Sequence, residues 1–190
     1  MKKFYFLLSI FLMYSWIASA QNITGVTLTF TPETGSPVVA TASGDNGNLT
    51  ADGSVTLMES TPYTLAVTVQ SGNNDITSQI SDNAENFQVF YELMSSIFNG
   101  DVKPTDTDSQ GLPIGLANEF TTECTEEGNI SGMLRVVLAD LTGEKDEDSE
   151  IGDGTTRFDV SWMITVEDDA SAPPCENEEE IITDVVLIFT

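Results

Sequence analysis

Arg157-Phe-Asp-Val-Ser-Trp-Met-Ile-Thr-Val166 decides the fold class. Phe158, Val160, Trp162, Ile164 and Val166 take every second place, and Arg157, Asp159, Ser161, Met163 and Thr165 stand between them. Successive side chains of a strand point to opposite faces, so this alternation describes a strand with one buried face. Working outward, the pattern recurs. Val26, Leu28 and Phe30 alternate with Thr27 and Thr29, and Tyr63, Leu65, Val67 and Val69 alternate with Thr64, Ala66 and Thr68. Residues 133–141 are apolar on both faces apart from Arg135 and Asp140, which predicts a central strand. Residues 87–93 read as a further strand rich in aromatics. Gly44-Asp45-Asn46-Gly47-Asn48, Asp52-Gly53, Ser71-Gly72-Asn73-Asn74 and Glu127-Gly128-Asn129 supply turns, because Gly and Asn tolerate positive φ. Ile76, Ile80, Ala84 and Phe87 recur at helical spacing, and Asp75 is placed to cap that helix. The expected fold is all-β, an immunoglobulin-like β-sandwich of about seven or eight strands with one short helical crossover.

The chain opens with a different kind of segment. Lys2 and Lys3 precede an almost wholly apolar run from Phe4 to Ile17, followed by the small residues Ala18-Ser19-Ala20. This is the three-part pattern of a secretory signal, with cleavage expected before Gln21. The apolar run is short of the roughly 20 residues that a membrane span requires. The expected product is exported, periplasmic or extracellular, and has no stable membrane insertion after cleavage.

The whole chain of 190 residues carries 31 acidic and 6 basic side chains, a net charge of −25, and no histidine. Losing residues 1–20 removes Lys2 and Lys3 and deepens the charge to −27. Such a surface repels nucleic acid and anionic membranes. It suits solubility, a basic protein partner, a glycan or a cation. In an oxidising compartment Cys124 and Cys175 are expected to form a disulfide.

The end of the chain reads as three pieces. The sandwich is expected over 21–168, an acidic linker with Pro173-Pro174 over 169–180, and a strand-like segment over 181–190. Ile182-Thr-Asp-Val-Val-Leu-Ile-Phe-Thr190 matches Ile23-Thr-Gly-Val-Thr-Leu-Thr-Phe-Thr31 at six of nine places. We read it as the first strand of a truncated second copy, for which edge pairing and self-association are the expected uses.

Four stretches carry a resemblance besides the strand quoted first. They are Ile23-Thr-Gly-Val-Thr-Leu-Thr-Phe-Thr-Pro32, Asp75-Ile-Thr-Ser-Gln-Ile80 leading to Phe87-Gln-Val-Phe-Tyr91, Asp106-Thr-Asp-Ser-Gln-Gly-Leu-Pro-Ile-Gly-Leu116, and Gly132-Met-Leu-Arg-Val-Val-Leu138. Over residues 23–166 the chain resembles small exported proteins and lipoproteins of Bacteroidetes that are loosely labelled as having a type 1 periplasmic-binding fold. The resemblance implies an uncharacterised envelope protein without assigned catalytic residues. Two departures stand out: Gln21 replaces the lipoprotein Cys, and the His that relatives carry before the Phe87-like aromatics is missing. The label implies alternating strands and helices, whereas the residue pattern supplies one short helix.

Lack of histidine removes the usual general base, the common nucleophile systems and most transition-metal sites. A carboxylate-dependent hydrolase is the least favoured class, because among 31 acids some pair always has a suitable spacing. No catalytic residue and no cofactor-binding residue is assigned. Asp106-x-Asp108-x-Gln110-Gly111 resembles the start of a calcium loop, with oxygen ligands at alternate places before a sharp turn. The closing Glu is absent, its place being Ala117. The first reading of this stretch is an ordinary acidic loop; calcium is the one candidate metal, at Asp106, Asp108 and Gln110. The expected function is a non-enzymatic exported module, structural or ligand-binding. The alternative is one copy of a tandem-repeat surface adhesin.

Overall fold

The computed structural model describes residues 22–125, 128–168 and Cys175. The signal segment and its junction at Gln21, the acidic linker apart from Cys175, and the repeated segment over 181–190 lie outside the described residues.

Eleven strands and one helix follow in order. They are β1 (Gly25–Pro32), β2 (Val38–Asp45), β3 (Asn48–Asp52), β4 (Ser54–Met58), β5 (Pro62–Ser71), β6 (Asn74–Asp75), α1 (Thr77–Asp82), β7 (Phe87–Leu93), β8 (Lys103–Pro104), β9 (Ala117–Thr121), β10 (Ile130–Asp140) and β11 (Thr155–Glu167). The three strands read from alternation and the two read from apolar and aromatic content are all present, within an all-β sandwich of two sheets. The strand count exceeds seven or eight because short, turn-flanked segments such as β3, β4 and β9 also pair.

One sheet runs β3-β2-β1-β5-β9-β8, with β6 beside β5, and every pair in it is antiparallel. The other runs β4-β11-β10-β7; here β4 lies parallel to β11 and the other pairs are antiparallel. The inward side chains of both sheets form one core, which includes Val26, Leu28, Phe30, Leu65, Val67, Val69, Leu134, Val136, Trp162 and Ile164. Trp162 is fully buried, as its place in the alternation predicts, and its Nε1 donates to Thr41 O of β2 at 3.1 Å, a hydrogen bond from one sheet to the other. The apolar outer side of β10 also holds, since Val137 and Ala139 are buried on it.

The helix is shorter than its spacing predicts, because Phe87 already opens β7. Ile76, Ile80 and Ala84 are buried as expected. Asp75 does not occupy the cap position, which is Ile76. Its Oδ1 instead accepts the Thr77 N–H at 2.8 Å. The helix carries the chain from one sheet to the other rather than between parallel neighbours of a single sheet, so it does not build a βαβ unit.

Two features position the rest. Val89 N on the outer edge of β7 donates to Ile114 O at 2.8 Å, so the loop over 105–116 covers that edge. Cys124 and Cys175 form a disulfide with a Cα–Cα distance of 5.9 Å. Among the described residues no helix is long and apolar enough to cross a membrane.

Candidate functional site

The loop over 105–116 is assembled by its own carboxylates. Asp106 Oδ1 accepts the Gly115 N–H at 2.9 Å and its Oδ2 accepts the Leu116 N–H at 3.0 Å. Asp108 Oδ1 accepts from Gln110 N at 2.9 Å and from Leu112 N at 3.0 Å, the local turn that a short acidic side chain favours. The remaining oxygen, Asp108 Oδ2, lies 3.0 Å from Lys145 Nζ, and both side chains are almost completely buried. Lys145 Nζ also donates to Ala84 O at 2.8 Å, beyond the end of α1. Burial alone would raise the Asp108 pKa; the Lys145 ammonium and the two loop amides outweigh it and hold the carboxyl below its ordinary value.

The contacts are those of an ordinary acidic turn. Asp106 is taken up by two backbone amides, Gln110 is exposed, and Asp108 already faces a cation of the protein's own. A calcium ion bound at about 2.3–2.6 Å to Asp108 would meet the buried ammonium with nothing to screen it. The Asp-x-Asp-x-x-Gly pattern signals a tight acidic turn, and calcium loops share that turn chemistry without owning it. The acidic loop before β11 is anchored inward by Lys145.

Next to this pair is a polar pocket of about 370 Å³, whose lining includes Asp82, Glu85, Asn86, Thr107 and Asp108. Ser109 Oγ donates to Glu85 Oε1 at 2.6 Å across it. A second groove, of about 400 Å³, lies where β1, β5, β8 and β9 meet, at the Pro32 end of the sheet. Tyr63 and Phe120, which border it, turn their rings into the core, stacked with ring centroids 5.6 Å apart, and Phe120 stacks in turn on Phe98 at 4.0 Å. Glu33, Asp101, Lys103 and Glu119 ring its mouth. Its volume falls within the range of small-ligand sites, about 300–1,000 Å³. Three carboxylates against one ammonium favour a neutral or cationic ligand group. Sequence reasoning missed this groove because its residues come from four separate stretches, none of them distinctive alone.

A third constellation surrounds the disulfide. Among the described residues, Glu59, Cys124 and Cys175 form the one group of three acidic or sulfur ligands within 4.8 Å of one another. The two sulfurs are bonded together, and buried Glu59 Oε2 accepts from Thr125 N at 2.6 Å and Thr125 Oγ1 at 2.8 Å. The group is a structural knot. It stands where β11 ends, since Glu59 N donates to Glu167 O at 3.0 Å.

No family model matches the chain, and neither a curated protein nor a solved structure does.

Proposed function

We propose that this protein is a non-enzymatic module of the bacterial envelope or exterior, working as a structural or ligand-binding unit. The observation that carries the reading is the knot of Cys124–Cys175 and Glu59, which fixes the chain to the sandwich just after its last strand. A disulfide persists in an oxidising compartment, and the segment over 1–20 has the pattern of an export signal. The best-placed carboxylates, Asp106, Asp108 and Glu59, hold backbone and ammonium groups of the fold, which leaves the groove beside Lys103 as the ligand site to test.

Fractionation of cells that make the native chain tests the compartment. A product beginning at Gln21, without free thiols, in the periplasmic or external fraction supports the reading; a cytoplasmic product retaining Met1 and two free thiols sinks it. Screening soluble glycans and basic peptides by melting shift, against a Glu119→Gln control, tests the groove.

The alternative is a repeat unit of a surface adhesin, favoured by a second observation. The segment over 182–190 repeats Ile23, Val26, Leu28 and Phe30 as Ile182, Val185, Leu187 and Phe189. In β1 and its approach those four side chains are the core-facing ones, each at most 3 % exposed.

A further inference from the structure

We propose that Met94, Met133 and Met163 form a site for a soft monovalent cation, Cu(I), on the outer face of the four-stranded sheet. The chain has six methionines, of which Met1 and Met13 fall in the segment over 1–20. None of the four described ones enters the core, where a flexible apolar side chain of this kind is ordinarily used. Three of them stand side by side. Met133 of β10 pairs with Met163 of β11. Leu93 pairs with Leu134, and one step further Met94 N donates to Met133 O at 3.0 Å, so Met94 continues the row on the β7 side. Leu93, Leu134, Trp162 and Ile164, the chain neighbours of these residues, face the core, which turns the three methionines outward. Met94 and Met163 are 56 % and 47 % exposed, and Met133 between them is half-buried.

The spacing suits convergence on one ion. Met133 turns its backbone groups toward β7, so it meets Met163 as a close pair, with Cα atoms about 4.5 Å apart, and Met94 at about 5.5 Å. The row is then about 10 Å from end to end. Metal–sulfur bonds of about 2.3 Å place the three sulfurs of a trigonal site about 4 Å apart. Met94 and Met163 must each lean about 3 Å toward Met133, within the reach of a side chain with three rotatable bonds.

The chemistry of the row selects the ion. Thioether sulfur is uncharged and polarizable, and such ligands favour Cu(I) over the hard cations calcium and magnesium, which take oxygen. One border of the row is Arg135, held at 2.7 Å by both Glu92 and Asp159, so two carboxylates outweigh one guanidinium beside the site. The other border is the hydroxyl pair of Ser131 and Thr165, 3.1 Å apart. An apolar partner would be served as well by leucine. A row one residue deep between a charged border and a hydroxyl border is also too narrow for the centre of a protein interface, which covers about 800 Å² per partner.

The test titrates the chain, as its cells process it, with Ag(I), a redox-inert stand-in for Cu(I), while the methionine methyl groups are followed by NMR. One ion per chain should shift the methyl resonances of Met94, Met133 and Met163 together. Met58, which pairs with Glu167 farther along the same face, should not move. Cu(I) kept reduced by ascorbate should displace the Ag(I). Loss of even an outer-shell partner costs a metal site about 10–100-fold, so Met94→Leu, Met133→Leu and Met163→Leu should each weaken binding at least about tenfold. Met58→Leu should leave it unchanged. Leucine keeps the face apolar, so each variant should melt within about 4 °C of wild type, and a docking role would survive the change. No shift in the row, equal shifts at all four methionines, or undiminished binding in the triple variant would overturn the proposal. So would Cu(I) that fails to displace Ag(I).

Discussion

Lys145 carries its ammonium into a site that water hardly reaches, and Asp108 is the partner that makes this tolerable. Removing one member of such a pair strands the other charge in a medium that solvates it poorly. Lys145→Met should cost about 3–5 kcal/mol in denaturant unfolding, and adding Asp108→Asn should recover part of the loss by removing the stranded charge. Wild-type stability in Lys145→Met would refute the role. The pH dependence has a definite sign. The Asp108 carboxyl is lower in the folded chain than its ordinary value, so its contribution is complete above about pH 4 and is lost as pH falls through the folded value. Acid unfolding should steepen below about pH 4, and Asp108→Asn should flatten that limb. The acidic turn was legible in the sequence. The pair was not, because both residues lie in polar stretches and no local pattern says which of many acids will be buried.

Gly115 works at the scale of the element. Its φ is +79°, and a Cβ there would come within 2.4 Å of the Val89 carbonyl oxygen. That close approach seats the loop over 105–116 against β7, where Tyr91 Oη donates to Gly115 O at 2.7 Å. Burial pushes the Tyr91 phenol well up, so the hydroxyl remains a donor at any ordinary pH. Covering an edge in this way hides a row of backbone groups that would otherwise pair with another chain. Gly115→Ala should cost more than about 1 kcal/mol and speed amide exchange at Val89 and Leu116; unchanged exchange there would separate the glycine from edge protection. Long strands such as β5 and β11 were legible because their length shows the period clearly, and β10 because its run is apolar on both faces. Short strands such as β4 and β9 were not, since five residues among turn formers leave pairing to be decided by distant partners. The helix was legible through Ile76, Ile80 and Ala84, but its end was not, because the pairing of Phe87 with Asp140 overrides the helical spacing.

The whole molecule depends on one covalent closure between residues 51 apart in sequence. By loop entropy, removing it with Cys124→Ser/Cys175→Ser should lower stability by about 4 kcal/mol. Denaturant unfolding with and without reductant measures this, and a difference below about 1 kcal/mol would mean that the knot around Glu59 holds without the bond. The pairing was legible from compartment and count, whereas the surrounding knot required the fold, which brings Glu59 to Thr125 across the sandwich. The parallel contact of β4 with β11 has a consequence for timing. Ser54 to Met58 wait for Met163 to Glu167 before they have a sheet to join, and β11 is also the neighbour of β10. The four-stranded sheet therefore cannot close until almost the entire domain has been synthesised. Such distant pairing makes closure slow. The last strand of the domain to arrive is the one that locks it.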